Sequence, residues 1–154
     1  MKVNLTKVTS KDEFDGLKVL QQVTKENFDE SPLPFKINDY WYQGFLKLCE
    51  EESEKNICIA YWINQGKKKV GYAEIRPGDN QETGNIGIIL ENAYQSKGIG
   101  YETMKLLVDI AKNEYKMKNI EIITNPNNTG MRKTCEKLNA QLVDVDEKCH
   151  YCIK

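Results

Sequence analysis

Leu90-Glu91-Asn92-Ala93-Tyr94-Gln95-Ser96-Lys97-Gly98-Ile99-Gly100-Tyr101 joins two different sequence patterns. Upstream, Asn85 to Leu90 is apolar and β-branched and reads as a strand. Downstream, Ile99, Thr103, Leu106, Leu107 and Ile110 recur at helical spacing. A strand that passes through a glycine-bearing loop into a long helix makes an anion cradle. The first helical turn has unpaired amides and the positive end of the dipole. Glycines at 98 and 100 let the backbone approach a ligand closely. A pyrophosphate is the natural guest. Glycine spacing alone equally suits a strand–helix turn that needs glycine only for geometry. A dinucleotide fold fits poorly, because its third glycine would fall on Thr103 and its ribose-binding acid should end the next strand, whereas Glu121 lies near that strand's start.

Working outward, Ile57 to Ile63, Val70 to Ile75 and Asn85 to Leu90 read as three strands of an antiparallel meander. The first two are joined by the Asn64-Gln65-Gly66 turn and the last two by a polar loop, Arg76 to Gly84. Before them, Val3 to Val8 reads as a strand. Ser10 with Glu13 reads as a capping box opening a helix whose apolar face is Phe14, Leu17, Leu20, Thr24 and Phe28 and which stops before Pro32 and Pro34. A second helix starts at Asn38 with Trp41, Phe45, Leu48 and Cys49 on one side. After the glycine loop come a helix, a strand at Ile120 to Thr124, a helix from Asn128 to Leu138 bearing Met131, Cys135 and Leu138, and a closing strand pair around Val143, Val145, Tyr151 and Ile153. The order β-α-α-β-β-β-α-β-α-β-β predicts one mixed α/β domain over 1–154, not a doubly wound parallel sheet.

Composition narrows the function. Lys+Arg 22 against Asp+Glu 23 gives a formal charge of −1, which argues against a nucleic-acid binder. The start is polar and no apolar run approaches membrane-spanning length, so a soluble, cytoplasmic protein with no membrane partner is expected. Five cysteines, an odd number, suit reduced thiols. Only Arg76 and Arg132 could supply a rigid guanidinium. With His150 the single histidine, no multi-histidine metal site exists and no metal is expected. Cys149 and Cys152 form a CxxC, but on a strand residues three apart face opposite sides.

Gln95-Ser96-Lys97-Gly98-Ile99-Gly100 resembles the Q/R-x-x-G-x-G/A pyrophosphate loop of the GNAT superfamily of acetyl-CoA-dependent N-acetyltransferases. Asn128-Thr129-Gly130-Met131-Arg132-Lys133-Thr134-Cys135-Glu136-Lys137-Leu138 is similar to the family's N-x-x-(S/A)-x-x-x-Y-x-K-L helix. The match is good from about residue 55 onward and holds only in element order before that. Its central wording is also similar to a bacterial subgroup of the family. The resemblance implies a mostly antiparallel central sheet splayed between its fourth and fifth strands, flanked by about four helices. It implies acetyl-CoA as co-substrate, with Gln95, Ser96, Lys97, Gly98, Ile99, Gly100 and Tyr101 at the pyrophosphate. Ile88, Leu90 and Asn128 would stand along the pantetheine. It implies direct transfer of acetyl to a primary amine of a small molecule or peptide, and a homodimer as a common arrangement. A non-catalytic module that binds or senses acyl-CoA is the alternative.

Two departures bear on the chemistry. The leaving-group tyrosine of many members is replaced by Cys135, whose thiol could protonate a CoA thiolate but whose place on an apolar helix face equally suits a core cysteine. The strand position that carries a glutamate base in some members falls near Gly84. This leaves Glu82 and Glu74 as the nearest candidate bases, with Glu91 close by, and solvent as a further route.

Overall fold

A computed structural model describes residues 2–27 and 37–154. The elements are β1 (Val3–Lys7), α1 (Asp15–Asn27), α2 (Asp39–Glu54), β2 (Ile59–Gln65), β3 (Lys68–Pro77), β4 (Thr83–Leu90), α3 (Ile99–Asn113), β5 (Asn119–Thr124), α4 (Thr129–Lys137), β6 (Gln141–Val145) and β7 (Cys149–Ile153), with a short 3-10 turn at Asn92–Tyr94. The expected order is therefore present. The parts of the first-helix reading that rest on Phe28, Pro32 and Pro34 lie outside the described residues.

One seven-stranded sheet runs β1-β2-β3-β4-β5-β7-β6. All neighbouring pairs are antiparallel except β4–β5. That parallel pair covers only Thr83↔Asn119, Gly84↔Ile120 and Asn85↔Glu121, while β4 runs on to Leu90. Beyond Asn85 the two strands separate, which is the splay the resemblance implies. Successive strand residues face opposite sides, so each face builds its own core. On one face, Ile59, Tyr61, Ile63, Ala73, Ile75, Ile86, Ile120, Ile122 and Tyr151 pack against Ile99, Met104 and Leu107 of α3 and Cys135 of α4. On the other, Ala60 and Trp62 of β2 pack against Leu17 and Leu20 of α1 and Tyr42, Leu46 and Cys49 of α2.

Three local readings need correction. Ser10 and Glu13 form no capping box, and α1 begins only at Asp15. The turn before it is tied elsewhere: the Asp12 carboxylate accepts from the Thr9 amide at 2.7 Å and from the Trp62 indole at 3.0 Å, and the Glu13 carbonyl accepts from the Tyr42 hydroxyl at 2.7 Å. Phe14 thus precedes the helix and is 49% exposed. On α2, two apolar stripes lie side by side, and the one that buries is Tyr42, Leu46 and Cys49, not Trp41, Phe45 and Leu48. Trp41 and Phe45 stack on each other (5.1 Å between centroids), and Phe45 lies 5.9 Å from the Tyr72 ring. The loop expected over 76–84 is shorter, since β3 extends to Pro77 and β4 begins at Thr83. The second helix does start as read, because the Asn38 side chain accepts from the Trp41 amide and caps it.

Candidate active site in the split between two strands

Where β4 leaves β5, a cleft of about 630 Å³ opens. Its walls are the end of β4, the loop into α3 and the first turns of α4. Of the expected cofactor residues, Ile88, Leu90, Gln95, Ser96, Gly98, Gly100, Tyr101 and Asn128 line it. Lys97 and Ile99 do not. Lys97 is exposed, and Ile99 is fully buried in the core behind the loop.

The loop conformation suits an anion. Gly98 caps α3 at φ +85°, and Ser96 is also left-handed, at φ +59°. Left-handed residues alternating with ordinary ones turn successive amides toward one side, which forms an anion-binding concavity. A non-glycine residue in this region is uncommon and costs energy, so the surrounding structure must hold Ser96 there. Gly100 gives a second sign. A Cβ there would meet Ile88 Cδ1 at 3.6 Å and Leu90 Cδ1 at 3.8 Å, which is ordinary contact. Protein packing therefore does not require glycine at 100, but a ligand lying against that backbone would. The Gln95 amide group is used structurally, donating to the Leu90 carbonyl and to Asn92 Oδ1, each at 3.1 Å. It ties the loop to the strand end.

Asn128 caps α4, its Oδ1 accepting from the Met131 amide at 3.0 Å. Lys133, Thr134 and Lys137 also line the cleft. Lys137 and Lys105 sit over the Tyr101 ring, 5.5 and 5.1 Å from its centroid. The sequence reading did not single out Thr129, Lys133 or Lys137 as site residues. The signal was the i, i+4 spacing of Lys133 and Lys137 on the first helix that faces the loop. Neither arginine joins the site. Arg76 pairs with Glu74, and Arg132 donates to the Tyr151 hydroxyl at 3.1 Å.

The candidate catalytic side chains are dispersed. Cys135 is fully buried among core residues, and burial pushes its thiol up to about 11, so it stays protonated near neutrality. Its helical neighbours Met131 and Thr134 reach the cleft, while Cys135 itself is not in the lining. Glu82 lies before β4, where its carbonyl accepts from the Lys118 and Asn119 amides and its carboxylate pairs with Lys118 at 3.3 Å. That is the joined end of the β4–β5 pair, about 26 Å of strand from Leu90. Glu74 is on β3, directly across from Gly87, on the face that carries α1 and α2. Cys149 is buried and Cys152 partly exposed, as opposite faces of β7 require, and all five thiols are free. No helix among the described residues is long and apolar enough to cross a membrane.

A family model described as "Acetyltransferase (GNAT) domain" matches residues 2–141. Solved structures with the same fold include an N-acetyltransferase from Campylobacter jejuni in complex with acetyl coenzyme A (12% identical, covering 99% of each chain, TM-score 0.75). A ribosomal L7/L12 alpha-N-protein acetyltransferase in complex with coenzyme A is 10% identical over 99% of this chain and 94% of its own, at TM-score 0.80. An N-acetyltransferase from Thermoplasma acidophilum in complex with coenzyme A is 15% identical over 100% and 99%, at TM-score 0.74. No curated protein matches the sequence.

Proposed function

The chain belongs to the GNAT acetyltransferase family, and from that premise we propose that it moves an acetyl group from acetyl-CoA to a primary amine by direct attack within a ternary complex. The observation that carries this reading is the coincidence of the strand split with the left-handed Ser96–Gly98 turn and the sterically unneeded glycine at 100. Acetyl-CoA, when bound, supplies the acetyl thioester. The amides from Gln95 to Tyr101 and the α3 dipole bind its pyrophosphate, with Lys133 and Lys137 adding positive charge near the mouth. The main chain of β4 around Ile88 and Leu90 is free of β5 and offers strand-like hydrogen bonds to the pantetheine. Asn128 Oδ1 is committed to its helix cap, which leaves its Nδ2 for the same arm.

The acceptor arrives as an ammonium. A Glu74 carboxylate oxygen takes one proton, the freed nitrogen lone pair forms the new C–N bond, the C–S bond breaks as CoA thiolate leaves, and the second proton shed by the nitrogen goes to solvent, which balances the proton the thiolate takes up. A main-chain amide near Leu90 meets the negative charge that develops on the carbonyl oxygen. Cys135, held protonated by burial, is the residue of this chain to test as the source of the sulfur's proton.

The test is thiol release from acetyl-CoA over a panel of primary amines and peptide N-termini, run beside calorimetric titration with CoA. Saturable release that needs an amine supports the transferase. Stoichiometric CoA binding without turnover on any amine would favour the alternative of an acyl-CoA sensor. Glu74→Gln should lower kcat at least tenfold with CoA affinity unchanged, and Cys135→Ala should lower kcat at unchanged Tm only if the thiol acts as acid.

A further inference from the structure

The end of α1 reaches the loop that follows β4. The Glu26 carboxylate uses both of its oxygens: Oε1 accepts from Gln22 Nε2 and Oε2 accepts from the Asn92 amide, each at 2.7 Å. The second bond spans 66 residues and lands on the first residue of the 3-10 turn that opens the loop. The first amides of a helical turn have no partner inside it, so a carboxylate from outside is a natural acceptor, and a charge-assisted bond is short.

From Asn92 the tie continues. Asn92 Oδ1 accepts from Gln95 Nε2 at 3.1 Å, and the same nitrogen donates to the Leu90 carbonyl at 3.1 Å. The Glu91 amide donates back to the Val70 carbonyl on β3 at 3.1 Å. Neighbouring peptide groups of a strand point to opposite edges, so the Leu90 amide and carbonyl face the split. Glu26 is thus joined, through Asn92 and Gln95, to the strand end that lies along the cleft. The residue after it, Asn27, is itself part of the cleft wall.

Charge is no reason to place Glu26 here. Burial pushes the nearby Glu91 carboxyl up, Lys68 pulls it down, and the Glu26 charge adds to the rise. Two carboxylates beside a cradle for an anion oppose that anion. What Glu26 supplies is a hydrogen-bond acceptor at a fixed point.

Resting on the reading that the cleft holds acetyl-CoA, we infer that Glu26 is a positioning residue of the cofactor site. It fixes the Asn92 amide and, through Gln95, the orientation of the Leu90 peptide that borders the thioester. The sequence pattern could not reveal this, because the residues it joins lie on α1 and in the β4–α3 loop, far apart in the chain.

The two roles open to the carboxylate have opposite signs, which makes the test direct. Glu26→Gln and Glu26→Ala both remove the charge, but only glutamine keeps an oxygen that can accept from the Asn92 amide. CoA affinity per folded molecule, by calorimetry, should fall about fivefold or more in Glu26→Ala and stay within about twofold of wild type in Glu26→Gln. If the carboxylate acts only as a charge, both variants bind CoA more tightly and the inference is overturned. A lower Tm in Glu26→Ala with CoA affinity unchanged makes the contact merely structural and overturns it as well. A second variant removes the donor. Glu91 stands at φ −59° and ψ 142°, the extended conformation of a residue before proline, so Asn92→Pro suits the backbone and deletes both the amide and the Oδ1 link. It should lose CoA affinity to the same degree, and it carries that expectation alone if Glu26→Ala does not fold. Adding Glu26→Ala to Asn92→Pro should cost less than about twofold more, and fully additive losses overturn the proposed chain of contacts. Wild-type binding that Glu26→Ala does not weaken overturns this inference alone, whereas absence of CoA binding in the wild-type protein overturns the cofactor reading and this inference with it.

Discussion

The two faces of the sheet are finished differently. Under α3 and α4 one core runs from β2 to β7 without a break. Among the described residues, the core under α1 and α2 takes strand residues only from β2 and β3, and Ile123 of β5 is exposed. A continuous core makes the cofactor side rigid and gives its loop a fixed platform. The two cores are separate clusters, one behind the cofactor loop and one away from it.

Substitutions that respect or violate this division test it. The largest effect is expected at Gly98. Gly98→Asp sets a carboxylate against the pyrophosphate and should weaken CoA binding at least 100-fold by calorimetry. Gly98→Asn, which also tolerates the left-handed conformation but brings no charge, should lose far less. Equal losses would mean that backbone geometry, not charge, governs the loop. On the other face, a Cβ at Gly16 would lie 2.5 and 2.7 Å from the Trp62 ring and against the Tyr42 hydroxyl. Gly16→Ala should cost about 1–3 kcal/mol in denaturant unfolding while CoA affinity per folded molecule stays constant. A parallel loss of affinity would show the two faces to be coupled. Lys133→Ala with Lys137→Ala should weaken CoA a few-fold, and the difference should shrink as salt is raised.

The smallest effect is on pH dependence, and it spans both faces. Burial pushes Cys49 and Cys58 up to about 12 and Cys135 up to about 11. An unfolded thiol ionises near its ordinary value of about 9, so above that pH the unfolded chain holds fewer protons than the folded one. The contribution of these thiols is fully present below pH 9 and is lost as pH rises toward 11 and 12. Tm should be level from pH 7 to 8.5 and fall by on the order of 5 °C toward pH 11. A level Tm throughout would mean that the thiols are less enclosed than the packing indicates.

The same division governs what was legible in the sequence. The cofactor side is written locally: a strand, a glycine loop and a helix succeed one another from Asn85 to Asn113, and Asn128 opens the helix opposite. Even there, the left-handed Ser96 left no trace, since serine has no spacing or composition signal for that conformation. The other face is written in register. Glu74 and Gly87 lie on two strands and become neighbours only when β3 and β4 pair. On α2 the error was one of choice between two apolar stripes, and the Tyr42 hydroxyl bond to the Glu13 carbonyl is a long-range contact that periodicity cannot see. The capping box failed for the same reason: Asp12 answers to Trp62, fifty residues away.

The most direct measurement is an amide-resolved NMR titration of the full chain with acetyl-CoA. Shifts should concentrate at residues 95–101 and at Asn128 to Thr134, with α2 unmoved. An absence of shifts at saturating acetyl-CoA, or shifts confined to the Trp41–Leu48 surface, would contradict the account.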